Sequence, residues 1–187
     1  DTPPYEVLYT KWLPYEDVLV LKKVEEMVEV YYNSSQFSNT LRLLEKEFDT
    51  AFALYDTLAR FYEEKGYDKV SHSRIARFEI LYEFIQTITE EENLVLYKEL
   101  LTYDLYLREN VKSRPTFARD LSSSKDFVRE FFQKEEKTPE HLSGYEGYDS
   151  RQMAKMAHLE PLRDGTYLLF DYKKRDPLSY NARTVRV

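Results

Sequence analysis

Apolar residues recur at spacings of three and four through most of the first 110 positions, the period that turns one side of an α-helix toward a core. From Pro14 the stretch YEDVLVLKKVEEMVEVYYN carries Val20, Leu21, Val24, Met27, Val28 and Tyr31 in this register and predicts a long amphipathic helix. Ser38 is placed to cap a shorter helix running to Phe48. Asp49 or Thr50 is placed to cap the next, AFALYDTLARFYEEK, which Gly66 ends. Ser71 or Ser73 opens a fourth, through RIARFEILYEFI, and ENLVLYKELLTYDLYLRE predicts a fifth over roughly 90–109. Short connections make such helices antiparallel neighbours.

The pattern changes after Arg114 and Pro115. SSSKDFVREFFQKE gives one more helix, KTPEHLSGYEGYD is polar, aromatic and irregular, and Asp164–Gly165 between two short apolar runs signals a hairpin. The expected fold is mainly α: an antiparallel bundle of about six helices with a small C-terminal β-hairpin. The expected layout is one domain overall, with an extended lead-in at 1–13, the bundle at 14–135, and an irregular loop and small β-element at 136–187. The loop around Tyr145 and Tyr148 is a candidate functional segment.

Composition narrows the chemistry. Seventeen tyrosines and eleven phenylalanines provide a packed interior, while four glycines argue against a nucleotide-binding loop. With 27 basic and 34 acidic residues the formal charge is -7, which repels a phosphate backbone, so nucleic acid is not an expected partner. No run of about 18 apolar residues and no signal-peptide pattern occurs, so no membrane span is expected and a cytoplasmic location is. Zero cysteines excludes disulfides, thiolate metal sites and cysteine nucleophiles within these residues. A chain that opens on Asp1 without methionine is expected to be processed or a piece of a longer one.

Candidate sites are few. On a helical wheel Ile75, Phe78, Ile80, Leu81, Tyr82, Phe84, Ile85 and Ile88 span a wide apolar arc with Arg74 and Arg77 inside it, while His72, Ala76, Glu79 and Glu83 lie opposite. Buried guanidinium groups need anions. Two readings stay open: pairing with Asp56, Glu63 or Asp104, or snorkelling outward, against service as an anchor for a ligand's anionic group or a neighbouring domain. His72 reads as a solvated or capping residue, and Glu90, Glu91 and Glu92 as a helix start. His158 and Glu160 alternate onto one strand face, but without a third ligand they make no metal site. No Ser-His-Asp signature, HExxH, Walker loop or dinucleotide fingerprint is present, and no catalytic residue is singled out.

Three stretches carry a resemblance: PPYEVLYTKWLPYEDVLVLKKVEEMVEVYYNSSQFSNTL (3–41), EEKGYDKVSHSRIARFEILYEF (63–84) and LLFDYKKRDPL (168–178). They resemble the segment that follows the barrel in bacterial radical SAM proteins with a cobalamin-binding domain, often described as iron-sulfur oxidoreductases. The resemblance implies an upstream cobalamin-binding domain and a radical SAM barrel in the same chain, both as partners of this segment. S-adenosylmethionine, an iron-sulfur cluster and cobalamin would belong to that parent protein. The cluster needs a CxxxCxxC loop and some relatives hold cobalamin with DxHxxG; neither motif occurs here, so no cofactor is expected in this segment. The implied role is a non-catalytic accessory domain that packs on the barrel and shapes substrate access. Tyr5 and Trp12 would form the docking lead-in, with Arg74 and Arg77 as an anion or inter-domain anchor. The alternative is a free-standing helical module whose tyrosine-rich surface binds another protein.

Overall fold

The computed structural model describes residues 11–12 and 14–187. Seven α-helices and three strands occur among them: α1 Tyr15–Met27, α2 Ser38–Leu44, α3 Ala51–Lys65, α4 Arg74–Ile88, α5 Glu91–Arg108, α6 Lys125–Lys137, α7 Ser150–Met156, β1 Ala157–Pro161, β2 Tyr167–Arg175 and β3 Ala182–Arg186. The chain is thus mainly helical, with a three-stranded antiparallel sheet in the order β1-β2-β3 instead of the expected two-stranded hairpin. It divides into two compact units, one ending at Ser73 and one running from Arg74 to Val187. The helices expected as one bundle over 14–135 are shared between these units.

In the first unit α1 packs on α3, burying Val18, Val24 and Met27 against a stripe of α3 that includes Leu54, Leu58 and Tyr62. Val20 and Leu21, expected on the buried stripe, are exposed. The long first helix does not continue as an α-helix to Asn33; Val28–Asn33 widen into a π-helical turn. That turn carries Tyr31, fully buried, whose hydroxyl lies 2.6 Å from that of Tyr62. Thr50 caps α3 by accepting from the Ala53 amide at 3.1 Å, and Gly66 ends it at a φ of 72°. The shorter helix starts one place earlier than expected, with Phe37 in place of Ser38 at its N-cap and the Ser38 hydroxyl turned back to donate to the Ser35 carbonyl. Its last turn tightens to a 3₁₀ turn at Glu45–Glu47.

The second unit places α4 antiparallel to α5, so that Arg74 at the start of one meets Glu109 just past the end of the other. Burial on α4 begins at Phe78 and continues through Ile80, Leu81, Phe84 and Ile85. The sheet has a helix-covered surface on each side, as its alternation requires. Ala157, Leu159 and Leu169 pack with Phe131, Phe132, Leu142, Tyr145 and Met153 in one cluster, and Phe170 packs with Tyr106, Leu107 and Ala182 in another. Each fully buried leucine or phenylalanine contributes about 2 kcal/mol from apolar area. The expected hairpin turn forms at Asp164–Gly165, with the Leu162 amide donating to the Thr166 carbonyl at 2.8 Å and Gly165 at a φ of 84°.

Candidate binding cleft of the second unit

Of the residues singled out as a docking surface or anchor, Trp12 belongs to the first unit and Arg74 and Arg77 to the second. Tyr5 lies outside the described residues. Trp12 is 85% exposed, with Lys11 Nζ 5.2 Å from its ring centroid. Arg74 and Arg77 are not buried as the wheel implied: Arg74 is exposed and pairs with Glu109 at 3.1 Å, and Arg77 is half-buried. Both precede the point where the apolar arc of α4 is covered, so neither needs a deeply buried counter-charge. His72 lies before the helix, because Val70 is extended and α4 begins only at Arg74. Its Nε2 lies 2.8 Å from the Tyr67 carbonyl, and its ring packs edge-on against Tyr62 and Tyr67.

The densest polar chemistry forms around His158 and Glu160 instead. Strand β1 sends both side chains to the surface shared with Leu168 and Phe170, their partners in the β1–β2 register. The Glu160 carboxylate is gripped by both terminal nitrogens of Arg114, with Nη1 at 2.9 Å from Oε2, and accepts from His158 Nε2 at 2.7 Å. The imidazole lies flat on the Tyr106 ring of α5, centroids 3.7 Å apart and planes 4° from parallel. Arg114 also donates to the Tyr106 hydroxyl at 3.1 Å and, through Nε, to the Arg119 carbonyl at 2.6 Å. A helix, a loop and a strand are thereby tied by one half-buried guanidinium.

Burial pushes His158 below the usual histidine range, against the opposing pull of Glu160, and the imidazole is neutral near neutral pH. Since the carboxylate only accepts, the proton sits on Nε2. Burial raises Glu160, but the hydrogen bonds from His158 and Arg114 outweigh it and hold the carboxyl below the carboxylate range. A histidine with a lowered folded pKa contributes stability that is complete above about 6.5 and lost as pH falls toward the folded value. His158→Phe, which keeps a ring on Tyr106, is therefore expected to flatten the pH dependence of unfolding just below pH 6.5. Denaturant midpoints at several pH values check it; an unchanged slope rejects a neutral His158.

In front of this network lies a cavity of about 450 Å³ between α5, the 116–119 loop and the sheet, with Glu160 in its wall. Val95, Tyr103, Phe117, Leu168 and Phe170 give it apolar sides, and Lys98, Arg119 and Arg163 line it with positive charge. The loop is fixed at a second point, where the Thr116 amide and hydroxyl donate to the two oxygens of Glu79 at 2.7 and 2.6 Å. Because three N–H groups already occupy the Glu160 oxygens, the carboxylate presents no free base to the cavity. The arrangement is suited to binding; it brings no acid–base pair or nucleophile together there.

A second carboxylate organises the 138–149 loop. Glu135, 1% exposed in the last turn of α6, accepts from the amides of Glu140, His141 and Leu142 and from His141 Nδ1 at 2.8 Å. Glu135, Glu140 and His141 offer ligand atoms close enough for a metal ion, but both Glu135 oxygens already carry these donors. The same loop buries Tyr145, whose hydroxyl lies 2.6 Å from Asp171 Oδ1. The segment expected as a functional loop is therefore packed into the core at Leu142 and Tyr145. Among the described residues no helix is long and apolar enough to cross a membrane.

A family of proteins of unknown function, DUF4080, matches residues 1–176. No curated protein and no solved structure matches the chain.

Proposed function

The chain belongs to the DUF4080 family of proteins of unknown function, and from that premise we propose that it is a non-catalytic C-terminal accessory domain of a cytoplasmic, cobalamin-dependent radical SAM protein. In this reading it packs on the catalytic barrel and shapes substrate access. The support comes from the resemblance over residues 3–41, 63–84 and 168–178, and from an apolar ridge at the start of α1. Tyr15 and Leu19, one turn apart on α1, are 52% and 37% exposed, and Trp12, which precedes the helix, is 85% exposed. Large apolar side chains left in water at neighbouring positions are the mark of a docking surface. That ridge is the single observation on which the docking role rests.

The parent protein's S-adenosylmethionine, iron-sulfur cluster and cobalamin would be bound upstream, since this segment has no cysteine. Arg74 keeps its proposed role as a domain anchor only as a member of its pair with Glu109. Two measurements test the reading. The reading frame upstream of Asp1 is expected to encode CxxxCxxC, and its absence overturns the family context. In the parent protein, deletion of this domain is expected to leave cluster content unchanged while lowering kcat/KM at least tenfold; a truncated protein that turns over normally refutes the accessory role.

A further inference from the structure

We infer that the cavity between α5, the 116–119 loop and the sheet binds a small organic anion with an apolar body, a carboxylate or phosphate on a hydrocarbon scaffold. This goes beyond the accessory role and does not rest on it, because every residue involved lies in the second unit of this chain. The volume, about 450 Å³, is that of sites for small organic molecules, which combine apolar walls with a few placed polar groups. Tyr103, Phe117, Leu168 and Phe170 supply such walls.

The charge at the lining sets the class of ligand. Lys98, Arg119 and Arg163 all line the cavity, and none of the three has a carboxylate partner among the described residues. Lys98 lies 5.7 Å from the Tyr82 ring, Arg119 Nη1 reaches only the Leu162 carbonyl at 3.4 Å, and Arg163 engages Glu99 through its backbone amide at 3.4 Å. Of the two acids in the wall, Glu160 is neutralised by Arg114. The other, Glu99, offsets one of the three cations, so the lining keeps a local charge of about +2 in a chain of net charge -7, whose general field repels anions. A preference for anions must therefore come from this local arrangement.

The walls are also held before any ligand arrives. The Arg114–Glu160–His158 network fixes one end of the loop and Glu79 fixes Thr116, so binding does not have to order that segment. An apolar tail would lie along Phe170 and Leu168, with its anionic head toward Lys98 and the two arginines.

The test uses the whole chain and three matched probes, decanoate, decanol and decylammonium, in isothermal titration. Decanoate is expected to bind saturably at one site and about tenfold tighter than decanol, the scale of a few partly exposed charge pairs; decylammonium is expected not to saturate. The triple variant Lys98→Met, Arg119→Gln, Arg163→Gln should keep its circular dichroism and melting temperature, its sites being half-buried or exposed, and should bind decanoate no tighter than decanol. Val95→Trp, at an exposed lining position, should weaken both ligands by blocking the space. Equal affinity for decanoate and decanol, a tenfold preference that survives the triple variant, or binding untouched by Val95→Trp overturns the inference. A protein that ignores decanoate yet sediments with phosphatidylglycerol vesicles overturns it in favour of a membrane surface.

Discussion

Glu135→Gln is expected to lower the stability of the second unit by about 3 kcal/mol, although the two side chains have nearly the same shape. The wild-type carboxylate accepts three consecutive backbone amides and the His141 ring while 1% exposed. Glutamine replaces one accepting oxygen with an NH₂ that points at N–H donors, so buried donors lose their acceptor with no compensating change in packing. The consequence spreads because Leu142, the last of the three amides, is itself a core residue beside Phe131 and Phe132. Losing the carboxylate frees the loop and with it this part of the core. Thermal unfolding should move down by roughly 6–12 °C, and amides 140–142 should lose hydrogen-exchange protection first.

The pH dependence of that loss has a fixed sign. Burial by itself would raise the Glu135 carboxyl, but the Leu142 amide, the His141 ring and the amides of His141 and Glu140 together hold it below the usual range. A carboxyl lowered in the folded state contributes stability that is present above its unfolded value, about 4.3, and is lost as pH falls through the folded value. The gap between wild type and Glu135→Gln should therefore be full at neutral pH and close below about pH 4. A gap that persists undiminished at pH 3 shows that the carboxylate charge is not what holds the loop.

Features written in adjacent residues were legible in the sequence, and features assembled across the fold were not. Thr50, Gly66 and the Asp164–Gly165 turn each act through their own backbone neighbourhood and stand where local rules put them. The short helix α7 also had its signal, since Asp149 and Gln152 form a reciprocal capping box, but the surrounding KTPEHLSGYEGYD drew the whole stretch into one irregular loop. Strand β3 had less: it is five residues long and follows a turn with no glycine pair, held instead by Asp176 accepting from Leu178 and Ser179. Arg74 and Arg77 show the limit of a wheel. It gives direction around a helix and says nothing about where along the helix cover begins, which here is Phe78.

The candidate site shows the same division. The alternation of His158 and Glu160 placed them on one strand face from sequence alone, yet the group that gives the pair its meaning is Arg114, 46 residues from Glu160 in an irregular segment. Nothing in the local pattern around Arg114 and Pro115 distinguishes a buried anchor from a solvated loop arginine. Its role depends on α5 supplying the Tyr106 ring and the sheet supplying the carboxylate, and both are products of the tertiary fold.

Arg114→Met is expected to cost about 3–5 kcal/mol in the second unit, the largest effect of any single change considered. The substitution keeps the apolar stem but leaves Glu160, with a side chain 8% exposed, as an uncompensated carboxylate beside a neutral imidazole. It also removes the donor to the Arg119 carbonyl, so the loop that walls the cavity loses one of its two fixings. Pairing it with Glu160→Gln removes the orphaned charge while leaving an oxygen for His158 Nε2. The double variant should accordingly be more stable than Arg114→Met alone by about 2 kcal/mol, although it carries one more substitution. Because the chain has two compact units, exchange protection of the β1 and β2 amides is a better readout than one global melting curve. Non-additivity of this sign assigns the cost to the buried charge. Simple additivity would mean that Arg114 acts mainly through Tyr106 and the Arg119 carbonyl, and the ion pair with Glu160 would then be incidental to the fold.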